Sequence, residues 1–320
     1  MTKRDQVDLD GKVWLRREAI ANGYSDKTIA RLVRAGEWHR VRRGAFVPGE
    51  LWAGLSPEDR HRLLCRAALL TAHPCSALSH VSAAIEWGAA TWGIDLTEVH
   101  LTRTDGKCGR REAGLVHHRG RLSEDEVMVV NGVRVTRAAR SVVETCTIAD
   151  VESSLIVAND LLHAGAFVLE EVTAEGVITK SWPRSLTTEL VLRLADRRIE
   201  SVAESRAFHV FWSQHIPRPE PQVEVYDERG RLIGRVDFAW PQFGVFAEID
   251  GRLKYLTMRR PGESLDEFLL REKRREELIC QLTGWVCIRI TWEDLARPQL
   301  LARRIRRILE ARARGAVSSY

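Results

Sequence analysis

The N-terminal region has the apolar spacing of helices up to about residue 36 and the alternation of strands after it. Trp14 to Asn22 has helical composition, and Gly23-Tyr24-Ser25 is typical of a turn. A second helix, capped by Ser25 or Asp26, runs to about Ala35. Helical spacing gives this helix an inward apolar face of Ile29, Leu32 and Val33. The pattern therefore predicts a helix-turn-helix.

The next segment, Glu37 to Val47, alternates apolar and basic residues around Arg43-Gly44, which is typical of a short hairpin. A helix-turn-helix followed by such a hairpin predicts a winged helix-turn-helix module over residues 1–55. Its candidate nucleic-acid-binding side chains are Lys27, Arg31, Arg34, Arg40, Arg42 and Arg43. They favour DNA binding, with the helix in the major groove and the hairpin arginines on phosphates. The alternative is a protein-interaction module whose basic residues only hydrate its outer face.

Residues 56–172 alternate helical and strand patterns, which predicts an α/β region. One helix is expected over Ala77–Trp87 and short strands over Leu115–His118 and Gly132–Val135. Residues 173–200 are expected to form a linker and a helix, because glycine, proline, serine and threonine accumulate there. We therefore expect a mixed α/β fold for the chain.

Beyond residue 200 the pattern predicts a further domain, over residues 201–312. A helix from Ser201 to Ile216 carries Glu204 on an apolar stripe with Phe208 and Phe211. A carboxylate on such a stripe needs a cation, a hydrogen-bond donor or a raised pKa. The alternative is an ordinary acidic residue in the first turn, where the helix dipole favours it.

A β-hairpin pattern follows this helix, with strands over Arg231–Phe238 and Gly244–Ile249. A four-residue loop, Pro241–Gly244, would pair Trp240 with Val245. The alternation along each strand then decides which side chains share a face.

This register brings three carboxylates together. It places Asp237 opposite Glu248, and Asp250 shares a face with Glu248. Like charges so close repel, so the arrangement favours a divalent cation between them. Oxygen ligands suit Mg²⁺ or Mn²⁺, and we expect these three residues to be the metal ligands.

The cysteines and the other histidines suggest no comparable site. The six cysteines are scattered without a Cys-x-x-Cys pair, which argues against a disulfide framework or structural zinc. His73, Cys75 and His80 match no ordinary zinc spacing. The pair His117-His118 is assigned no role.

The overall charge changes the picture little. The chain has 49 Lys and Arg against 44 Asp and Glu, a net charge of +5, which permits a polyanionic partner without requiring one. No secretory pattern is visible, and no apolar run approaches the roughly 18 to 20 residues of a membrane-spanning helix. We expect a cytoplasmic protein with no membrane partner and no small-molecule cofactor.

Three segments of the N-terminal half form a recognisable combination: Gly23–Pro48, Leu78–Ala84 and Asn131–Ser141. Together they resemble the AbiEi-type antitoxin family. The resemblance implies a repressor-like DNA-binding module with an attached α/β region. It also implies, as possible partners, a cognate toxin or a second copy of the chain.

A second combination lies in the C-terminal domain: Glu204 on a helix, Val236–Phe238, Glu248–Gly251, a helix through Glu272–Glu276, and a terminal strand in Gly284–Trp292. It resembles the PD-(D/E)XK nuclease superfamily, in particular its Vsr-like branch. The resemblance implies a mixed sheet flanked by helices, with an Asp and a Glu holding a metal. It also implies a Lys two residues after the Glu that assists the attacking water.

The chain departs from that pattern at the lysine, because Asp250 occupies its position. Lys254 has the parity to share the face of Glu248, whereas Lys273 is better explained as part of a solvated helix face. The expected catalytic set is Glu204, Asp237, Glu248, Asp250 and Lys254.

The leading hypothesis is a Mg²⁺-dependent DNA endonuclease with a winged-helix module. Glu204 would orient a water or accept a proton, and Arg289 or Lys254 would contact the scissile phosphate. The alternative, motivated by the missing lysine, is an antitoxin-like repressor whose inactive nuclease-type domain only binds nucleic acid or a partner. A weaker third hypothesis is an adaptor that binds no nucleic acid.

Overall fold

The structure is a computed structural model that describes residues 7–107, 111–112, 114–172, 182–250 and 262–317. The chain divides into two compact units, Met1–Ala195 and Asp196–Tyr320. Helices and three β-sheets form among the described residues, so the expected mixed α/β class is confirmed.

The first unit begins with a small three-stranded antiparallel sheet and short helices, in the strand order β1-β3-β2. The elements are β1 Trp14–Leu15, α1 Arg16–Ala21, α2 Asp26–Arg34, β2 Trp38–Arg42, β3 Ala45–Pro48 and α3 Gly49–Gly54. Ser25 caps α2, since its hydroxyl accepts a hydrogen bond from the Thr28 amide at 3.1 Å. Gly44 forms the β2–β3 turn with φ 76°, a value that favours glycine. The second helix and the hairpin therefore lie where the sequence predicts them. The first helix, expected from Trp14, begins at Arg16, because Trp14–Leu15 pairs with β3 as a strand too short for periodicity to reveal.

A six-stranded sheet follows in the same unit, in the order β6-β7-β5-β4-β9-β8. Its strands are β4 Ser76–Leu78, β5 Val99–Arg103, β6 Arg111–Glu112, β7 Leu115–His118, β8 Val127–Val130 and β9 Val133–Thr136. The helices of this region are α4 Pro57–Leu69, α5 His80–Glu86, α6 Ala138–Cys146, α7 Val151–His163 and α8 Ser185–Leu194. Leu78, Leu101, Leu115 and Val135 bury the sheet against α4.

The sequence prediction is wrong at the start of α5. Ala77 to Trp87 was expected to be one helix, but Ser76–Leu78 forms the strand β4 and the helix begins at His80. A short buried strand and a buried helix segment have the same continuous apolar pattern, so periodicity cannot separate them. The strand Leu115–His118 has the expected bounds. Residues 173–181 of the expected linker lie outside the described residues.

The second unit contains a four-stranded sheet in the order β10-β11-β12-β13. Its elements are α9 Val202–Ser213, β10 Glu220–Tyr226, β11 Leu232–Trp240, β12 Val245–Asp250, α10 Leu265–Thr283, β13 Val286–Thr291, α11 Trp292–Leu295 and α12 Pro298–Val317. Neighbouring strands are antiparallel except β12 and β13, which are parallel. Phe211 of α9 packs on Phe238 and Trp240, with both ring centroids 5.3 Å away. Ile279 of α10 is fully buried against the sheet.

Candidate active site

The hairpin β11–β12 has the register expected from its loop. Trp240 pairs with Val245, and the last ladder pair joins Phe238 to Ala247. Continued by one position, this register places Asp237 opposite Glu248, on the same face. Both residues are buried, with 6% and 8% of their surface exposed. Two adjacent buried carboxylates are unusual unless a positive group compensates them.

Asp237 is held by the backbone of the neighbouring strand. Its Oδ2 accepts a hydrogen bond from the Ile249 amide at 2.7 Å. The β11–β12 ladder ends at Phe238, whereas β12 stays paired with β13 as far as Asp250. The two strands of the hairpin therefore part at the carboxylates, and the Asp237 side chain takes the place of a ladder carbonyl.

Glu248 is paired with an arginine that the sequence analysis did not single out. Arg275 of α10 donates from Nη2 to Glu248 Oε1 at 3.0 Å and from Nη1 to the Arg235 carbonyl at 3.1 Å. Burial lowers the pKa of Arg275, but Glu248 and Glu272 outweigh it, so the pKa is raised and the guanidinium stays charged. A Cβ at Gly234 would lie 3.2 Å from Arg275 Cδ, so glycine there lets the arginine cross the strand.

Asp250 and Arg289 lie along the adjacent parallel strand pair. Arg289 is in register with Glu248, and the half-buried Asp250 is in register with Thr291. The Arg289 guanidinium donates to Glu276 of α10. Burial lowers the pKa of Arg289, but the hydrogen bond and charge of Glu276, together with Cys287 and Asp250, outweigh it, so the pKa is raised. The expected phosphate contact of Arg289 stays a prediction, with the side chain 49% exposed.

Glu204 is buried at the start of α9 and its carboxylate accepts three hydrogen bonds. The donors are the Ser201 hydroxyl at 2.7 Å, the Glu200 amide at 3.0 Å and the Gln222 side-chain amide at 2.8 Å. These contacts match the helix-start alternative, because they stabilise the first turn. They also lower the cost of burying the carboxylate, because its oxygens accept hydrogen bonds there.

Gln222 links Glu204 to the position of Asp237. The pairs Pro221–Phe238 and Val223–Val236 flank Gln222 and place it opposite Asp237 in the β10–β11 register. Its φ of 55° is left-handed, which is rare for a residue with a side chain. No residue type in the sequence signals such a backbone, so the sequence analysis missed Gln222.

The two lysines considered for the site have different outcomes. Lys254 lies outside the described residues. Lys273 is exposed on α10, which fits its interpretation as part of a solvated helix face. The described cation that contacts Glu248 is Arg275.

The carboxylates do not form a compact ligand cluster within the described part of the chain. Clusters of His, Cys, Asp or Glu whose ligand atoms all lie within 4.8 Å of one another occur there twice, both in the first unit. They are His80 with His100 and His118, and His73 with Cys75 and Asp105. Asp237, Glu248 and Asp250 offer oxygen ligands of the kind that Mg²⁺ binds, but Arg275 now compensates Glu248.

The basic residues of the first unit form an exposed surface on α2 and the hairpin. Lys27, Arg31, Arg34, Arg40 and Arg43 are exposed and Arg42 is half-buried. Among the described residues, none of the six has a carboxylate within 4.0 Å, unlike Arg16, which pairs with Asp26 at 2.5 Å. Burial lowers the pKa of Arg42, and Glu112 opposes the shift. We call these six residues the basic surface.

A search against protein-family models found no match to the chain, and a search of curated proteins found no significantly similar sequence. Across the helices that the structure describes, none combines the length and the apolar character needed to span a membrane.

Proposed function

We propose that the chain is a metal-dependent DNA endonuclease whose first unit binds DNA and whose second unit hydrolyses a phosphodiester. The observation that carries this proposal is the pair Asp237 and Glu248. The two carboxylates are buried on adjacent strands, at the point where those strands part. Buried carboxylates cost folding free energy, and a site for a divalent cation is a physical reason to keep two together.

The donor chemistry of this pair fits a hard divalent cation. Asp237 and Glu248 would hold Mg²⁺ or Mn²⁺. Asp250, at the end of the strand that carries Glu248, would be a further oxygen ligand. When bound, the cation lowers the pKa of a water molecule and neutralises charge on the phosphate. The hydrogen bond of 2.7 Å from the Ile249 amide to Asp237 Oδ2 holds the Asp237 carboxylate in position for this role.

Two arginines would supply positive charge to the phosphate. Arg275 contacts Glu248 and lies on α10 beside Glu276, the partner of Arg289. A guanidinium donates two parallel hydrogen bonds to phosphate oxygens, which a lysine cannot do. Arg275 would exchange Glu248 for a phosphate oxygen and so compensate for the lysine that Asp250 replaces.

Glu204 would act as a positioning residue. Its carboxylate holds the Gln222 side chain at 2.8 Å, and Gln222 lies opposite Asp237. The expected proton transfer by Glu204 would require it to give up these hydrogen bonds. Glu204 therefore acts indirectly, by holding the Gln222 side chain in position.

The basic surface supports DNA as the substrate. None of its side chains has a carboxylate within 4.0 Å among the described residues, and they lie on a helix and a hairpin that follow one another in the chain. Release of counterions from phosphates would favour binding of duplex DNA there.

The test is cleavage of supercoiled plasmid by the full chain with Mg²⁺ or Mn²⁺. Asp237→Asn keeps an acceptor for the Ile249 amide and Glu248→Gln keeps the side-chain shape, so both are expected to fold and to lose nicking. The control Asp266→Asn also removes one negative charge, but at an exposed position on α10, and this variant should cut the plasmid like the native chain. Metal-dependent nicking that survives in Asp237→Asn would refute the site.

The second candidate is an antitoxin-like repressor whose second unit binds DNA without cutting it. The Glu248–Arg275 ion pair favours this candidate, because Arg275 already neutralises the carboxylate that a metal ion would need as a ligand. Specific DNA binding with no cleavage of plasmid, mismatched or branched DNA under any divalent metal would select it.

A further inference from the structure

Three histidines from distant parts of the sequence meet in the six-stranded sheet of the first unit. His80 is the first residue of α5, His100 lies in β5 and His118 ends β7. β5 and β7 are parallel, with Thr102 in register with His118, so His100 and His118 project from the same face. Nδ1 of His100 lies 2.8 Å from Nε2 of His118, and each histidine places a ring nitrogen within 4.8 Å of the others.

The three rings form a stack. The ring centroids of His80 and His118 are 3.5 Å apart at an angle of 21°, and those of His80 and His100 are 5.6 Å apart. His80 and His100 are buried, with 5% and 7% exposure, and His118 is half-buried. Burial lowers the pKa of His118 to about 4 and that of His80 well below its usual range. The imidazoles of His80 and His118 are therefore neutral near pH 7, and neutral imidazole is the form that binds metals.

The backbone and neighbours of His80 hold its ring in place. Its φ of 53° is left-handed, a strained conformation for a residue with a side chain. The His80 amide donates to Glu144 Oε2 at 3.0 Å, and the Ser79 hydroxyl lies 3.0 Å from His80 Nδ1. Glu144 is itself fixed by Arg140 at 2.8 Å. The Ser79 contact fixes the imidazole through one ring nitrogen, as outer partners do for metal-binding histidines, whereas Glu144 fixes the His80 backbone.

We propose that His80, His100 and His118 form a binding site for one divalent transition-metal ion of the zinc class. Imidazole nitrogens suit Zn²⁺, Ni²⁺ and Cu²⁺ rather than Mg²⁺, and three protein ligands leave a fourth position for water. Zinc–nitrogen bonds of about 2.05 Å in a tetrahedron separate two nitrogens by roughly 3.3 Å. The hydrogen-bonded pair of His100 and His118 would open by roughly 0.5 Å to accept the ion, and the His80 ring would turn out of its stack to bring a nitrogen to it.

This site is independent of the proposed nuclease site. It has nitrogen rather than oxygen ligands and lies in the first unit. A bound ion would join the start of α5 to β5 and β7, and would stabilise the unit by mass action, because the unfolded chain does not assemble the three rings. The expected consequence is zinc-dependent stability of the chain.

The experiment treats the full chain with a chelator and then titrates it with zinc in competition with a chromophoric chelator. The metal content of the dialysed protein is measured as well. We expect one zinc per native chain and a rise in melting temperature with zinc. His118→Gln and His100→Gln should weaken binding by roughly 100-fold or more, since loss of a mere outer-shell partner already costs 10- to 100-fold. Asp237→Asn should bind zinc normally.

The matched control is His117→Gln, the neighbouring histidine whose side chain projects from the opposite face of β7. It should bind zinc like the native chain, and His73→Gln tests the second cluster of His73, Cys75 and Asp105. Absence of zinc binding by the native chain would overturn the proposal. So would full binding and an undiminished melting shift in both His118→Gln and His100→Gln, or a loss confined to His73→Gln.

Discussion

At the residue scale, buried polar side chains in the first unit are kept by specific partners. His61 is fully buried on α4, with Nδ1 2.8 Å from the Leu96 carbonyl and Nε2 2.9 Å from the Ser82 hydroxyl. Burial lowers the pKa of His61, while the Leu96 carbonyl and the nearby carboxylates, Glu86 first, oppose the shift. The folded state therefore favours the neutral ring more than the unfolded chain does.

This lowered pKa predicts a loss of stability in acid. As the pH falls below about 6.5, the unfolded chain binds a proton at His61 before the folded chain does. The contribution of His61 to the unfolding free energy is therefore complete above about pH 6.5 and is lost as the pH falls toward the lower pKa of the folded state. The contribution of His61 is at most about 1.4 kcal/mol for each pH unit. Urea titrations between pH 7.5 and pH 5 should show a shallower decline in His61→Gln than in the native chain. An equal decline in both would contradict the assignment.

At the element scale, the hairpin register could be predicted from the sequence and its surroundings could not. Pro241 to Gly244 has strong turn chemistry, and one loop length fixes the ladder pairs up to Phe238–Ala247. The same register sets Asp237 and Glu248 at facing positions just beyond the ladder. Arg275 and Gln222 reach the site through a helix contact and a left-handed backbone, and neither has a local signature. Periodicity describes an element by itself and carries no information about what packs on it.

The contact of α10 with the hairpin gives an element-scale prediction. Arg275→Met leaves the Glu248 carboxylate, 11% exposed, without its guanidinium. We expect the unfolding free energy in EDTA to fall by about 2–3 kcal/mol, below the full cost of breaking a buried pair because Arg275 is partly solvated. Mg²⁺ should restore more stability to this variant than it adds to the native chain, because the cation replaces the lost charge.

The control is Arg274→Met, the same chemical change at an exposed position on the same helix. It should alter the unfolding free energy by less than about 0.5 kcal/mol and give no added response to Mg²⁺. If Mg²⁺ stabilises Arg275→Met no more than the native chain, the carboxylates do not hold a cation.

At the scale of the whole molecule, the histidine cluster is assembled from residues distant in sequence, so it could not be predicted from the sequence. His80, His100 and His118 belong to three elements, and spacing along the chain matched no metal pattern because the sheet order brings them together. The basic surface was visible in the sequence because its residues lie in one local segment, Lys27 to Arg43. Local chemistry can be predicted from sequence, whereas long-range assembly needs the fold.

Two variants of equal net charge separate the role of the basic surface from that of net charge. The variant Lys27→Gln/Arg31→Gln/Arg34→Gln removes three positive charges from α2, and Lys107→Gln/Arg193→Gln/Arg197→Gln removes three exposed ones elsewhere in the chain. Both leave the net charge at +2, from the native +5. Only the α2 variant should weaken duplex binding, and it should flatten the slope of log affinity against log salt by about 1 for each lost phosphate contact. Equal weakening by both would mean that bulk charge attracts DNA, and no weakening by either would exclude α2 from the interface.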